Sequence, residues 1–289
     1  MIHLVLAALG LLQPTGETYS LRAVVSDAKG PVRDVEASDV ALTIGGVTIP
    51  LTRFEKDDRK ARVALLIDSS QPMSSAYRLQ FMDAARAFVA SLPSTTRLSV
   101  WTTGDRPTKV IDDMNLEDEG TARELTSRLS RVLLTGGNTI LDAVVEAAED
   151  LEKKEGERKI LVFLSGSGPG FSSDSRESIV DRVLKKNVEV TGVLVAEGGS
   201  PTAGGDVSQD DYDYVFGSLT ERSGGRLERT LSVMSAQVAL GRVAADLRST
   251  YRLSYFHTGG GRGSKIALQV ARPQIKVRLS TPRKETSSP

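Results

Sequence analysis

The chain contains no cysteine, which excludes disulfide staples, thiolate nucleophiles and cysteine-ligated zinc together. Histidine is nearly absent: only His3 and His257 occur in 289 residues, so most acid–base chemistry that works near neutral pH lacks its usual carrier. An excess of either charge is missing too. Lysine plus arginine and aspartate plus glutamate both total 37, for a formal net charge of zero. That balance gives no general electrostatic case for nucleic acid or an anionic membrane as partner. Nor does any apolar run approach the roughly 20 residues needed to span a bilayer as a helix. These deficits weigh against an enzyme and direct attention to local recognition.

What is present begins with MIHLVLAALGLLQPTGETYS, where the apolar run Leu4 to Leu12 precedes a polar segment containing Pro14 and Gly16. This is the arrangement of a secretory signal over residues 1–18, although the first residues carry no Lys or Arg and no clean small-x-small cleavage site follows. The expectation is an exported protein, periplasmic or extracellular.

From Tyr19 the pattern alternates with period two: LRAVVS, a turn at DAKGP, DVALTI, then Gly45-Gly46 and VTIPLTRF. The Gly-Gly pair between apolar runs reads as a tight hairpin turn, because the primed turns need positive φ. The charged stretch EKDDRKAR, 55–62, reads as a solvated connector. Alternating strands and helices follow. VALLID, RLSVWTT, KILVFLS and VEVTGVLVA are buried strands, and TKVI, 108–111, a short edge strand. Helices are predicted near 76–92, 118–133, 140–154, 175–186, 211–222 and 232–248, with Phe81, Ala85, Phe88 and Leu92 on the buried stripe of the first. After Arg248 the period returns to two in TYRLSYF, a Gly-rich tip TGGGRGSK, IALQV and IKVRLS. The predicted fold is α/β, a doubly wound, mainly parallel sheet, flanked by a β-sandwich built from both chain ends. The predicted boundaries are 19–57 for the N-terminal strands, 58–248 for the α/β domain, 249–281 for the C-terminal strands and 282–289 for a disordered tail.

Open α/β sheets bind ligands at the C-terminal ends of their strands. There the sequence places Asp68-Ser-Ser70-Gln-Pro72-Met73 after the first strand, Gly136-Gly-Asn-Thr139 in a later loop, and Ser165-Gly166-Ser167-Gly168 after KILVFL. An aspartate with hydroxyls from two loops could supply part of an oxygen shell for Mg²⁺.

These residues resemble the von Willebrand factor type A domain. The family's metal-ion-dependent adhesion site, or MIDAS, joins an Asp-x-Ser-x-Ser run to a loop threonine and a loop aspartate. IDSSQPM follows the first strand, GGNTILDAV resembles the family's GGTxLxDA element, and LVFLSGSG takes the place of LxxLTDG. The flanking segments resemble those of a bacterial group of exported proteins of this family, so the likeness covers nearly the whole mature chain. It implies an adhesion-type binding module. Carried over residue by residue, Asp68, Ser70 and Thr139 match the aspartate, first serine and threonine, while Pro72 replaces the second serine and Gly166 stands where the loop aspartate belongs. With two of five positions lost, the expectation is no tightly bound cofactor, and at most weak Mg or Mn binding at Asp68, Ser70 and Thr139.

Other constellations are poorer. SGSGPG, 165–170, invites a nucleotide or phosphoester reading but lacks both GxGxxG spacing and a Walker lysine. A serine hydrolase would need a nucleophile elbow and a partner histidine, whereas His257 falls in the strand module. The acidic run DVSQDDYDYV, 206–215, lacks EF-hand spacing and reads as a solvated loop. Trp101 reads as core. The sequence therefore predicts a non-enzymatic module that binds a protein or peptide through loops around Asp68, Ser70 and Thr139. The alternatives are an α/β enzyme using SGSGPG and a scaffold of an envelope assembly.

Overall fold

A computed structural model describes residues 16–155, 158–196, 207–257 and 264–285. Most of the expected leader, the Gly-rich tip at 258–263 and the end of the tail lie outside the described residues.

The N-terminal segment forms β1 (Glu17–Asp27), the two-residue β2 (Gly30–Pro31), β3 (Val40–Ile44), β4 (Val47–Ile49) and β5 (Leu51–Lys56). Next comes β6 (Ala61–Asp68), then α1 (Ser74–Ala76), a π-helical stretch Tyr77–Phe81 and α2 (Met82–Ser91). β7 (Arg97–Thr103), β8 (Pro107–Asn115), α3 (Thr121–Ser130), α4 (Ile140–Lys153), β9 (Arg158–Gly166), α5 (Arg176–Leu184) and β10 (Glu189–Val195) continue the chain. It ends with α6 (Gln209–Ser223), β11 (Leu227–Thr230), α7 (Ala236–Leu247), β12 (Thr250–His257), β13 (Ile266–Val270), β14 (Lys276–Leu279) and β15 (Arg283–Lys284).

The central sheet runs β11-β10-β9-β6-β7-β8 and is parallel except for the antiparallel edge strand β8. Its inner strands are buried on both faces, which is why VALLID and KILVFLS read as continuous apolar runs rather than alternating ones. Phe81, Phe88, Leu129, Leu240 and Val243 pack on one face. Leu141, Val144, Ile179, Val183 and Phe216 pack on the other. The doubly wound architecture is the one expected from the sequence. Trp101, at 6% exposure, is core.

The chain ends meet as expected. β1 pairs antiparallel with β12, setting Leu21 opposite Leu253, in a sheet ordered β14-β1-β12-β5. A second sheet, β13-β3-β4, closes over it, and Leu21, Ala23, Val25, Leu42, Ile44, Tyr251, Leu253 and Leu268 fill the space between. Gly45 and Gly46, with φ of 58° and 85°, make the predicted hairpin turn.

Four local expectations change. VTIPLTRF is not one strand: Pro50, which has no N–H to give a ladder, divides it, so β4 stays in one sheet and β5 crosses to the other. The 55–62 stretch is not a solvated connector throughout, since Asp57 is buried and bonded bidentately by Arg59 at 2.6 and 2.7 Å. The acidic 206–215 run enters α6: Ser208 caps the helix and Asp211 closes a capping box. The tail is ordered at Arg283–Lys284, which pairs with Tyr19 and Ser20 of β1.

Candidate functional site

In chain order the sheet grows from β6 toward β7 on one side and, after crossing back, from β9 toward β10 on the other. The direction of winding therefore reverses between β6 and β9, the switch point at whose strand ends open α/β sheets bind their ligands. Asp68 closes β6 and Gly166 closes β9, so both point of arrival and chemistry coincide there.

Asp68 is 1% exposed. Its Oδ1 accepts from the Ser70 backbone N–H at 2.9 Å, the local turn that lets the chain leave the strand. Its Oδ2 accepts from the Gly166 N–H at 3.0 Å, from the Ser165 hydroxyl at 3.4 Å and from the Asn138 amide at 2.8 Å. A buried carboxylate costs several kcal/mol of order unless it is paired or fully hydrogen-bonded, and here neutral donors from three segments do that work.

Asn138 is the hub of the arrangement. Its Nδ2 also lies 2.8 Å from Ser165 Oγ and 3.2 Å from the Gly166 carbonyl oxygen. Its Oδ1 accepts from the Thr103 hydroxyl and from the Ile140 N–H, both at 3.0 Å. One side chain thus ties β6, β7, β9 and the start of α4 together. The sequence reading passed over Asn138 for its neighbour Thr139. The alignment of GGNT with GGTx was the available signal, since it sets Asn138 opposite the motif threonine. Thr139 is 6% exposed, and its hydroxyl is buried without a hydrogen-bond partner. Ser70 is buried as well, and its carbonyl accepts from the Met73 N–H at 3.1 Å. Pro72 is exposed.

The residues facing Asp68 fit a hard divalent cation poorly. The Asp68 oxygens already accept from the chain's own donors, Pro72 offers no side-chain oxygen, and an amide N–H group points at the oxygen a cation would use. Among the described residues no group of three or more His, Asp or Glu is placed to hold a metal ion. Gly166 also packs closely: a Cβ there would sit 2.7 Å from the sulfur of Met73, which is 1% exposed.

SGSGPG is used internally. The Gly166 N–H goes to Asp68, the Ser167 N–H to the Val195 carbonyl at 3.1 Å, and the Gly168 carbonyl accepts from Tyr212 Oη at 3.1 Å. Gly170 is wedged so tightly that a Cβ would lie 2.2 Å from Tyr212 Oη and 2.6 Å from the Asn138 carbonyl oxygen. These N–H groups are not turned outward as a phosphate cradle requires.

Along the strand-end edge of the sheet, large apolar side chains face solvent. Phe171 is 47% exposed, and a Cβ at Gly137 would lie 2.5 Å from its ring. Leu133 is 80% exposed ahead of the Gly136 loop, and Leu231 is 91% exposed just past β11.

A doubly wound sheet with a buried aspartate at its switch point, bonded by residues of three segments, defines a class of α/β domain. The sequence profile of the von Willebrand factor type A domain matches residues 63–219, more than half of the chain, and the chain belongs to that family. No curated protein matches it in sequence. Among solved structures it is similar to proximal thread matrix protein 1 from the mussel byssus, in a form with a zinc-occupied MIDAS motif. That likeness has a TM-score of 0.51 and 18% identity over 68% of this chain and 48% of the other. A von Willebrand factor type A protein from Catenulispora acidiphila aligns with a TM-score of 0.51 and 10% identity over 82% and 51%. The pilus adhesin SpaC from Lactobacillus rhamnosus GG aligns with a TM-score of 0.52 and 9% identity over 93% and 43%. The chain spans about half the length of these proteins, and the likeness is one of fold.

Proposed function

We propose that the chain is a non-enzymatic binding module, exported from the cell, that takes a protein or peptide partner on the loops around Asp68, Ser70 and Thr139 without a bound metal. The observation that carries the reading is the Asn138 amide on the Asp68 carboxylate. It supplies, from the chain itself, the positive end of a dipole where a metal-dependent site would need a cation, and so prearranges the loops. Exposed apolar side chains at Leu133, Phe171 and Leu231 suit a partner surface that excludes water at its centre. A matrix protein and a pilus adhesin among the structural relatives agree with this role. None of the helices in the described residues is long and apolar enough to cross a membrane.

The test combines calorimetry with capture. Titration with Mg²⁺ and Mn²⁺ should give no saturable heat, and a partner captured from an envelope fraction should be retained in EDTA and lost with Phe171→Asp. Metal-dependent capture abolished by Asp68→Ala would overturn the metal-free reading. Undiminished capture by loop variants would instead favour a scaffold acting through another surface.

A further inference from the structure

At the opposite end of the molecule, where the sandwich meets the N-terminal ends of the sheet strands, lies a polar cleft of about 320 Å³. Six basic side chains line it, Arg22, Arg59, Lys159, Arg252, Arg283 and Lys284, against a single acid, Glu285. β1, β12 and the tail contribute from the sandwich; Lys159 and Asn187 contribute from the α/β side. We propose that this cleft binds a small oxyanion of the phosphate class, held chiefly by Arg22, Arg252 and Arg283.

The cations differ in how well the protein answers them. Arg59 is paired with Asp57, and Lys284 with Glu17 at 2.5 Å. Arg252 has only a 3.8 Å ion pair to Glu285, whose Oε1 already accepts from Ser254 at 2.8 Å. Arg283 bonds the Leu184 carbonyl oxygen at the end of α5, at 3.0 Å, and has no carboxylate partner among the described residues. Arg22 bonds the Ser223 carbonyl oxygen at 2.9 Å, and its Nε is buried without a hydrogen bond, 3.7 Å from Glu189 Oε2. Burial, together with the neighbouring Arg22 charge, draws the Arg283 guanidinium down to about 10. Two partly desolvated guanidiniums side by side are unfavourable alone and favourable around a shared anion, because charge-assisted bonds to an oxyanion satisfy donors that neutral carbonyls leave over. The anion would join the sandwich to the α/β domain, since the cleft is lined from both.

The experiment is calorimetric titration of the full chain with inorganic phosphate and with glycerol 2-phosphate, alongside thermal melts in each and in sodium chloride of matched ionic strength. Expected is saturable binding, a melting temperature raised above the chloride control, and affinity at least tenfold weaker in both Arg283→Gln and Arg252→Gln. Tighter binding of the ester would mark the phosphoryl group of a larger ligand, and tighter inorganic phosphate the free ion. A shift no larger than that in chloride, or unchanged affinity in both variants, overturns the proposal. Arg283→Gln also gives up the bond to the Leu184 carbonyl and Arg252→Gln the pair with Glu285, so the chloride melt of each variant reports folding and the calorimetric affinity reports binding.

Discussion

The side-chain amide of Asn138 donates to Oδ2 of Asp68 at 2.8 Å, across 70 residues of sequence and between two buried side chains. This bond joins the first strand of the sheet to the loop that opens α4, and it sets the local chemistry of the strand ends.

Removing the amide should therefore be costly. Asn138→Ala strips Asp68 of one donor and leaves Thr103 and Ile140 without their acceptor, a loss on the order of 2–4 kcal/mol. Urea denaturation checks it; a change under about 0.5 kcal/mol would show that the amide is not structural.

Metal dependence should be recoverable by design. A triple variant, Pro72→Ser, Asn138→Thr and Gly166→Asp, restores two hydroxyls and a second carboxylate, and its melting temperature should rise with millimolar-range Mg²⁺ while that of the parent does not. Gly166→Asp alone should destabilise by about 1–3 kcal/mol, since its Cβ displaces Met73.

Gly170→Ala is expected to destabilise the protein by roughly 2–4 kcal/mol, because backbone of Asn138 as well as the Tyr212 hydroxyl stands in the way. A melt of the variant beside the parent checks it; a change under about 0.5 kcal/mol would show that the close approach is not structural.

Acid should act at the junction of sandwich and sheet. Burial raises the Asp57 carboxyl, but hydrogen bonds from Arg59 and the charges of Arg158, Arg59 and Arg22 outweigh it and leave it below the usual 3.8. A depressed folded value means that the stabilisation is present above the unfolded value and is lost as pH falls through the folded one. Melting temperature should thus drop more steeply below pH 3.8 in the parent than in Asp57→Asn. The variant should already be less stable at pH 7, by about 1–3 kcal/mol, because Arg59 loses its bidentate carboxylate while Arg158 keeps its pair with Glu189. Parallel pH profiles would refute the assignment.

Much of this was legible along the chain. Continuous apolar runs marked the inner strands, helical stripes marked the faces that cover them, and Gly45-Gly46 marked a hairpin, because burial on two faces, 3.6-residue periodicity and positive φ are local properties. The sandwich was inferable because neither set of end strands could bury a core alone. The short β11, with LERT half exposed, carried no such pattern.

The sequence by itself determined which groups were available: one carboxylate at the end of β6, a proline and a glycine where further oxygens belong to the resembling motif, and no cysteine. Only the tertiary structure decided which of them meet. Asn138 and Thr139 are adjacent and both polar, yet one reaches Asp68 and the other buries an unbonded hydroxyl, a choice made by the direction in which the loop enters α4. Likewise Arg22 and Arg283 became neighbours only when the two chain ends paired. Hydrogen bonds and charge pairs act over a few ångströms in space, and distance in space is what folding supplies and sequence order does not.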